Sequence, residues 1–177
     1  MQNLYRITKC ELNADNPRTF RTGSRYQILF VIQGSCQLLA DGKKCLCRSP
    51  DMLLLKPGQT QELYAASIST CSLLCISIPV ESLAALSDHT CDLVQKFEFA
   101  TYDTTVIHAE AKSSMLIQNI LTKLDTLDEE EINLGIKLYE KSLFTTFLVL
   151  FLRACVQSDR VHQSHQRKVL IIDDVFE

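Results

Sequence analysis

Short apolar runs separated by turn signals dominate residues 25–63. The run Tyr26-Gln27-Ile28-Leu29-Phe30-Val31-Ile32 ends at Gln33-Gly34. The run 35–40 ends at Asp41-Gly42, and Met52-Leu53-Leu54-Leu55 ends at Lys56-Pro57-Gly58. Asp-Gly and Pro-Gly are turn dipeptides, and Asp-Gly between two strand-like runs is a strong hairpin signal because both residues tolerate positive φ. Further strands are predicted at 61–65 and 69–78, the second apolar on both faces over 72–78. Several short strands at this spacing predict a small antiparallel barrel or sandwich. Residues 3–12 alternate weakly and read as a first strand or arm, and 13–18 as a loop. After Pro79 the segment 80–86 suits one or two helical turns. The stretch 87–104 has no clear period.

From Ser113 the period changes. Ile117, Ile120, Leu121 and Leu124 follow the i, i+3, i+4, i+7 spacing of an amphipathic helix. A second helix is predicted over about 129–156. Thr126 or Asp128 would cap it, because Glu129 and Glu131 each stand three residues on, which is capping-box spacing. This second helix carries two apolar stripes: Leu143, Phe147, Leu150, Ala154 and Phe144, Leu148, Phe151, Cys155. So wide an apolar arc predicts a second partner besides the barrel, the alternative being burial wholly within its own domain. The polar segment 158–168 reads as a linker.

The 25–63 pattern resembles the cupin, a double-stranded β-barrel (jelly roll), and more closely the effector-sensing domain of AraC/XylS-type transcriptional regulators. Tyr26-Gln27 stands where the family has Tyr-Glu, and Gly34 follows at the family's distance. Pro50-Asp51-Met52-Leu53-Leu54-Leu55 stands at its second strand and Lys56-Pro57-Gly58 at its turn. The resemblance covers roughly residues 20–155. It implies a mainly β chain: an arm and barrel sensor over 1–111, then an antiparallel helical hairpin for dimerisation over 112–157. Residues 158–177 would be a linker and the start of a helix-turn-helix DNA-binding domain that this chain does not contain. It further implies a small-molecule effector, a homodimer through the C-terminal helices, DNA contacts only through that further domain, and a cytoplasmic protein. The phenylalanine-rich stripes place the expected dimer contacts at Phe144, Phe147, Leu148 and Phe151.

The departures from the pattern decide the chemistry. Metal-dependent cupins hold the ion with two His and a Glu from the first motif and a His from the second. Arg21, Gly23, Gln27 and Gln61 stand at those places, and none offers an imidazole or a carboxylate. A metal-free barrel without a cofactor is expected, and a metal-dependent cupin enzyme is the competing reading. A dimerisation module with a filled, vestigial barrel is another. No nucleophile–base pair or phosphate-cradling glycine loop is present.

If Gln27 points into the barrel, strand alternation puts Arg25, Leu29 and Val31 on the same face, and Gln61 enters from the second motif. Arg25, Gln27 and Gln61 are thus the candidate ligand-binding residues. Gln amides suit hydroxyls, amides or a sugar, and Arg suits a carboxylate or phosphate. The plain alternative is that the glutamines bond the backbone or each other and Arg25 lies in solvent.

Composition narrows the classes further. The chain has 177 residues, 46% of them hydrophobic, and a net charge of −3. That balance excludes a basic nucleic-acid surface. No apolar leader opens the chain, and the apolar run 143–152 is too short to span a bilayer. Eight cysteines (10, 36, 45, 47, 71, 75, 91 and 155) fall mostly in apolar strand runs and are read as reduced core residues. Cys45-x-Cys47 and Cys71-x3-Cys75 leave a soft-metal or redox pair as the alternative. His89 and His108 are isolated and read as structural or surface residues.

Overall fold

Strand β3 (Arg25–Gln33) is apolar on both sides, and each side meets a different layer. Leu29 and Val31 face one apolar cluster, Tyr26, Ile28 and Phe30 another, and all five are buried. A strand buried on both faces needs a cover on each. A second sheet supplies one and the helices supply the other. The computed structural model describes residues 3–40, 43–67, 70–100, 106–127 and 135–173, with side chains as far as Asp159 except at Ala40 and Lys43.

The strands are β1 (Arg6–Leu12), β2 (Arg18–Arg21), β3, β4 (Ser35–Ala40), β5 (Lys43–Arg48), β6 (Met52–Leu55), β7 (Thr60–Ala65), β8 (Cys71–Pro79) and β9 (Val106–Ile107). One sheet has the order β1-β8-β3-β6-β9, the other β2-β7-β4-β5, and every pairing is antiparallel. Together they form the cupin-like double-stranded barrel. The β4–β5 register runs from Ser35↔Arg48 to Ala40↔Lys43, as a hairpin about Asp41-Gly42 requires, though the turn itself lies outside the described residues. The N-terminal segment is no free arm. Over Arg6–Leu12 it is the edge strand paired to β8. Strand β2 begins at Arg18, the last residue of the stretch read as a loop, and the stretch 87–104 that showed no clear period holds a short helix, Leu93–Glu98.

The α-helices among the described residues are α1 (Val80–Leu86), α2 (Leu93–Glu98), α3 (Ala111–Thr126) and α4 (Ile136–Asp173), with β9 falling between α2 and α3. On α3 the residues Ile117, Leu121 and Leu124 are buried, the face expected from the sequence. Thr126, one expected cap of the next helix, is instead the last residue of α3, its hydroxyl donating to the carbonyls of Thr122 and Lys123, while Asp128, Glu129 and Glu131 lie outside the described residues. The α4 backbone then continues through the polar segment read as a linker.

The interior has two layers. Between the sheets lie Phe20, Leu29, Val31, Leu38, Leu53, Leu55, Leu63 and Leu73, with five cysteines among them. Between the first sheet and the helices lie Tyr26, Ile28, Phe30, Leu74, Ile76 and Ile78, facing Leu83, Phe97, Ile117 and α4.

The expected dimer contacts are corrected here. Phe144, Phe147, Leu148 and Phe151 each have 0% exposure within the chain's own core. The expectation counted only the barrel wall as cover, but three other pieces add to it. Tyr5 stacks on Phe144 with ring centroids 4.5 Å apart, and Phe97 of α2 stacks on Phe151 at 5.5 Å. Leu121 and Leu124 of α3 join the same cluster. Residues 136–159 of α4 are long and apolar enough, by length and composition, to cross a bilayer. Their most apolar side is the one packed against the barrel.

Candidate functional site

Strand alternation brings two of the three expected site residues to the gap between the sheets. Gln27 shares a face of β3 with the buried Leu29 and Val31, and Gln61 shares a face of β7 with the buried Leu63 and Ala65. Gln27 pairs with Leu55 and Ser77, and Gln61 with Phe20. Arg25 follows the same alternation but lies beyond the covered part of the strand and is exposed.

The two amides are held differently. Gln27 Nε2 donates to the carbonyl of Arg21 at 3.1 Å, while Gln27 Oε1 is buried without a hydrogen-bond partner. Gln61 Nε2 donates to the carbonyls of Leu39 at 3.1 Å and Glu62 at 3.3 Å. The plain alternative, backbone bonding, therefore accounts for both donor ends. It leaves the Gln27 acceptor unsatisfied, and a buried unpaired acceptor costs about 1–3 kcal/mol.

The same end of the barrel is pinned by groups that sequence reasoning missed. Thr22 Oγ1 donates to the carbonyls of Lys56 at 2.8 Å and Gln59 at 3.0 Å, joining the β2–β3 turn to the β6–β7 turn. Tyr26 donates its hydroxyl to Glu98 Oε2 at 3.0 Å, and Lys56 Nζ donates to the Glu98 carbonyl. Burial first, and then the Glu98 hydrogen bond, push the Tyr26 hydroxyl up to about 12. No local signal links Tyr26 to a residue so far along the chain. The short helix that carries Glu98 was legible in principle, because Asp92 and Gln95 have capping-box spacing and Asp92 Oδ1 accepts from the Gln95 amide at 3.0 Å.

The cysteines line the inter-sheet layer. Cys10, Cys36, Cys47, Cys71 and Cys75 are buried there, Cys45 packs at its border, and none of the eight cysteines is in a disulfide. Cys36 stands directly across from Cys47. Its hydrogen bond with Cys47 is the main cause that pushes the Cys36 thiol up to about 12, and its bond with Cys36 raises Cys71 as well. Burial raises Cys75 to about 11 and Cys155 to about 12. These are protonated core thiols of low nucleophilicity at neutral pH. Among the described residues no group of three or more His, Cys, Asp or Glu side chains is arranged to hold a metal ion. Of the former metal-ligand places, Arg21 is exposed and offers only its carbonyl to Gln27, and Gly23 is a turn residue with φ +56°.

The AraC-like ligand binding domain family matches residues 3–132. No curated protein matches the chain. Among solved structures, an apo form of ToxT from Vibrio cholerae is similar, with a TM-score of 0.57 and 15% identity over 82% of this chain and 55% of that one. ToxT from the same species bound to (E)-4-(8-methylnaphthalen-1-yl)but-3-enoic acid gives a TM-score of 0.53 and 12% identity over 85% and 58%. At such identity the likeness is one of fold, and this chain spans little more than half the length of ToxT.

Proposed function

The chain belongs to the AraC-like ligand-binding domain family, and on that premise we propose that it is the effector-sensing and dimerisation region of a bacterial AraC-type transcription regulator. A small molecule entering the barrel end at Gln27 and Gln61, with Arg25 at its rim, shifts the balance between conformations. That shift controls DNA binding by a separate C-terminal domain. Residues 1–111 sense, 112–157 pair with a second copy, and 158–177 link to that further domain. The protein works in the cytoplasm and is no enzyme. Arg21, Gly23, Gln27 and Gln61 lack the donors that metal-dependent cupin chemistry needs.

The match over residues 3–132 carries this reading. The unpartnered Gln27 Oε1 supports the site, because an effector O–H or N–H would satisfy it. Dimerisation rests on a different face of α4 from the one first expected. Leu138, Ser142, Thr145 and Val149 point away from the core at the 4-3-4 spacing of a helix-pairing seam, with Leu138 74% and Val149 41% exposed. Thermal-shift screening against hydroxylated and carboxylate-bearing small molecules tests the site. An effector should raise the melting temperature of the wild type and leave Gln27→Leu unmoved, although that variant folds. An effector that stabilises Gln27→Leu and Gln61→Leu as well as wild type places binding elsewhere.

A further inference from the structure

Three surface cavities, of about 430, 460 and 250 Å³, lie along α4. The largest runs between α2 and α4, outside the barrel. Leu93, which is buried, forms part of its lining with the half-buried Cys91 and Leu152 and the exposed Val156. Its lining is apolar apart from Gln157 and two cations, Lys96 from α2 and Arg153 from α4. Among the described residues, neither Lys96 nor Arg153 forms an ion pair. One cation from each helix borders an apolar groove of ligand size, since small-molecule sites commonly span about 300–1,000 Å³.

We propose that this groove is a second small-molecule site, distinct from the barrel, and that it takes an amphipathic monocarboxylate. The carboxylate is held between Lys96 and Arg153, where charge-assisted hydrogen bonds from both sides fix it. The apolar body lies along Leu93, Leu152 and Val156. The 250 Å³ cavity adjoins this groove, sharing Lys96, Leu152 and Val156, and adds Phe99 and Ala100. It gives an elongated or aromatic body room to extend. Beyond the two cations the groove lining is apolar apart from Gln157, so a second carboxylate would be desolvated without a cationic partner, and a dicarboxylate is disfavoured. The chain's net charge of −3 supplies no general attraction for anions. Selectivity therefore comes from the two local cations.

Decanoate is a suitable probe, with decan-1-ol as its neutral counterpart and decanedioate as its dianionic one. Calorimetric titration should give decanoate at least a tenfold tighter Kd than either. Lys96→Ala and Arg153→Ala, both exposed substitutions, should each weaken decanoate several-fold and leave the weak decan-1-ol binding unchanged. Cys91 supplies a local readout. Bound decanoate should slow its alkylation by N-ethylmaleimide, seen by peptide mass spectrometry, while Cys45 labels at its former rate. Gln27→Leu should keep both effects, so loss of the barrel site and loss of the groove are told apart. Equal affinity for decanoate and decan-1-ol overturns the proposal. So does full decanoate affinity in the Lys96→Ala, Arg153→Ala double variant, or loss of binding in Gln27→Leu with Cys91 unprotected.

Discussion

Gly34 shows how much a single residue decides. It takes φ +80°, and a Cβ there would stand 2.8 Å from the Thr70 carbonyl and 3.2 Å from the Cys71 Cα. Both obstacles are backbone, so neither moves cheaply. Gly34→Ala combines left-handed strain with this clash and should lower the free energy of unfolding by about 1–3 kcal/mol in urea titration. An unchanged midpoint would mean that the β3–β4 turn has an alternative conformation. The thiols make a second case. Their pKa values are raised in the folded state, to about 12 at Cys36, about 11 at Cys75 and about 12 at Cys155. The folded chain therefore holds more protons than the unfolded chain once pH passes the ordinary thiol value. Stability is intact below pH 9 and falls as pH rises towards 11 to 12. Cys155→Ala should flatten that alkaline slope in pH-dependent melting. A slope identical to wild type would show that Cys155 already titrates normally. In the native state at neutral pH, the half-buried Cys45 and Cys91 should label well ahead of the six buried thiols.

At the scale of elements, α4 concentrates the packing energy. Phe147 is fully buried between Phe144 and Phe151, with ring centroids 6.1 and 6.4 Å away. Phe147→Ala should cost about 3–5 kcal/mol, with the melting temperature falling accordingly. A loss below 1 kcal/mol would mean that the cluster refills the space. The strands were readable because alternation and turn dipeptides are local. Leu29 against Ile28, and Leu53 against Leu54, separate cleanly onto opposite faces. The helices were only half readable. Their apolar stripes are local, but what covers a stripe is not. The cover on Phe144 and Phe151 comes from Tyr5 and Phe97, residues far away in the chain. For the same reason, alternation located Gln27 and Gln61, whereas Thr22, Lys56 and Glu98 could be tied to that end only through tertiary bonds.

For the whole molecule, the proposed dimer makes a demand on the outer face of α4. The outward seam of Leu138, Ser142, Thr145 and Val149 has small residues at its middle, which allow two helices to approach closely. Thr145→Lys should turn a sedimenting dimer into a folded monomer at micromolar concentration. A wild-type chain that sediments as a monomer throughout that range removes the dimer from the reading. Because α4 is one uninterrupted helix of 38 residues, it has a mechanical property that a jointed linker lacks. At about 1.5 Å per residue it is a rod of roughly 57 Å, clamped over one stretch by the aromatic cluster and running on well past it. Burial continues past Phe151 to Ser158, the last buried residue of that clamp among the described side chains. The rod extends roughly 22 Å beyond it to residue 173, so a tilt of about 10° at the clamp would sweep the far end through roughly 4 Å. Small adjustments in barrel packing thus arrive at residue 173 as displacements with gain, without any hinge to absorb them.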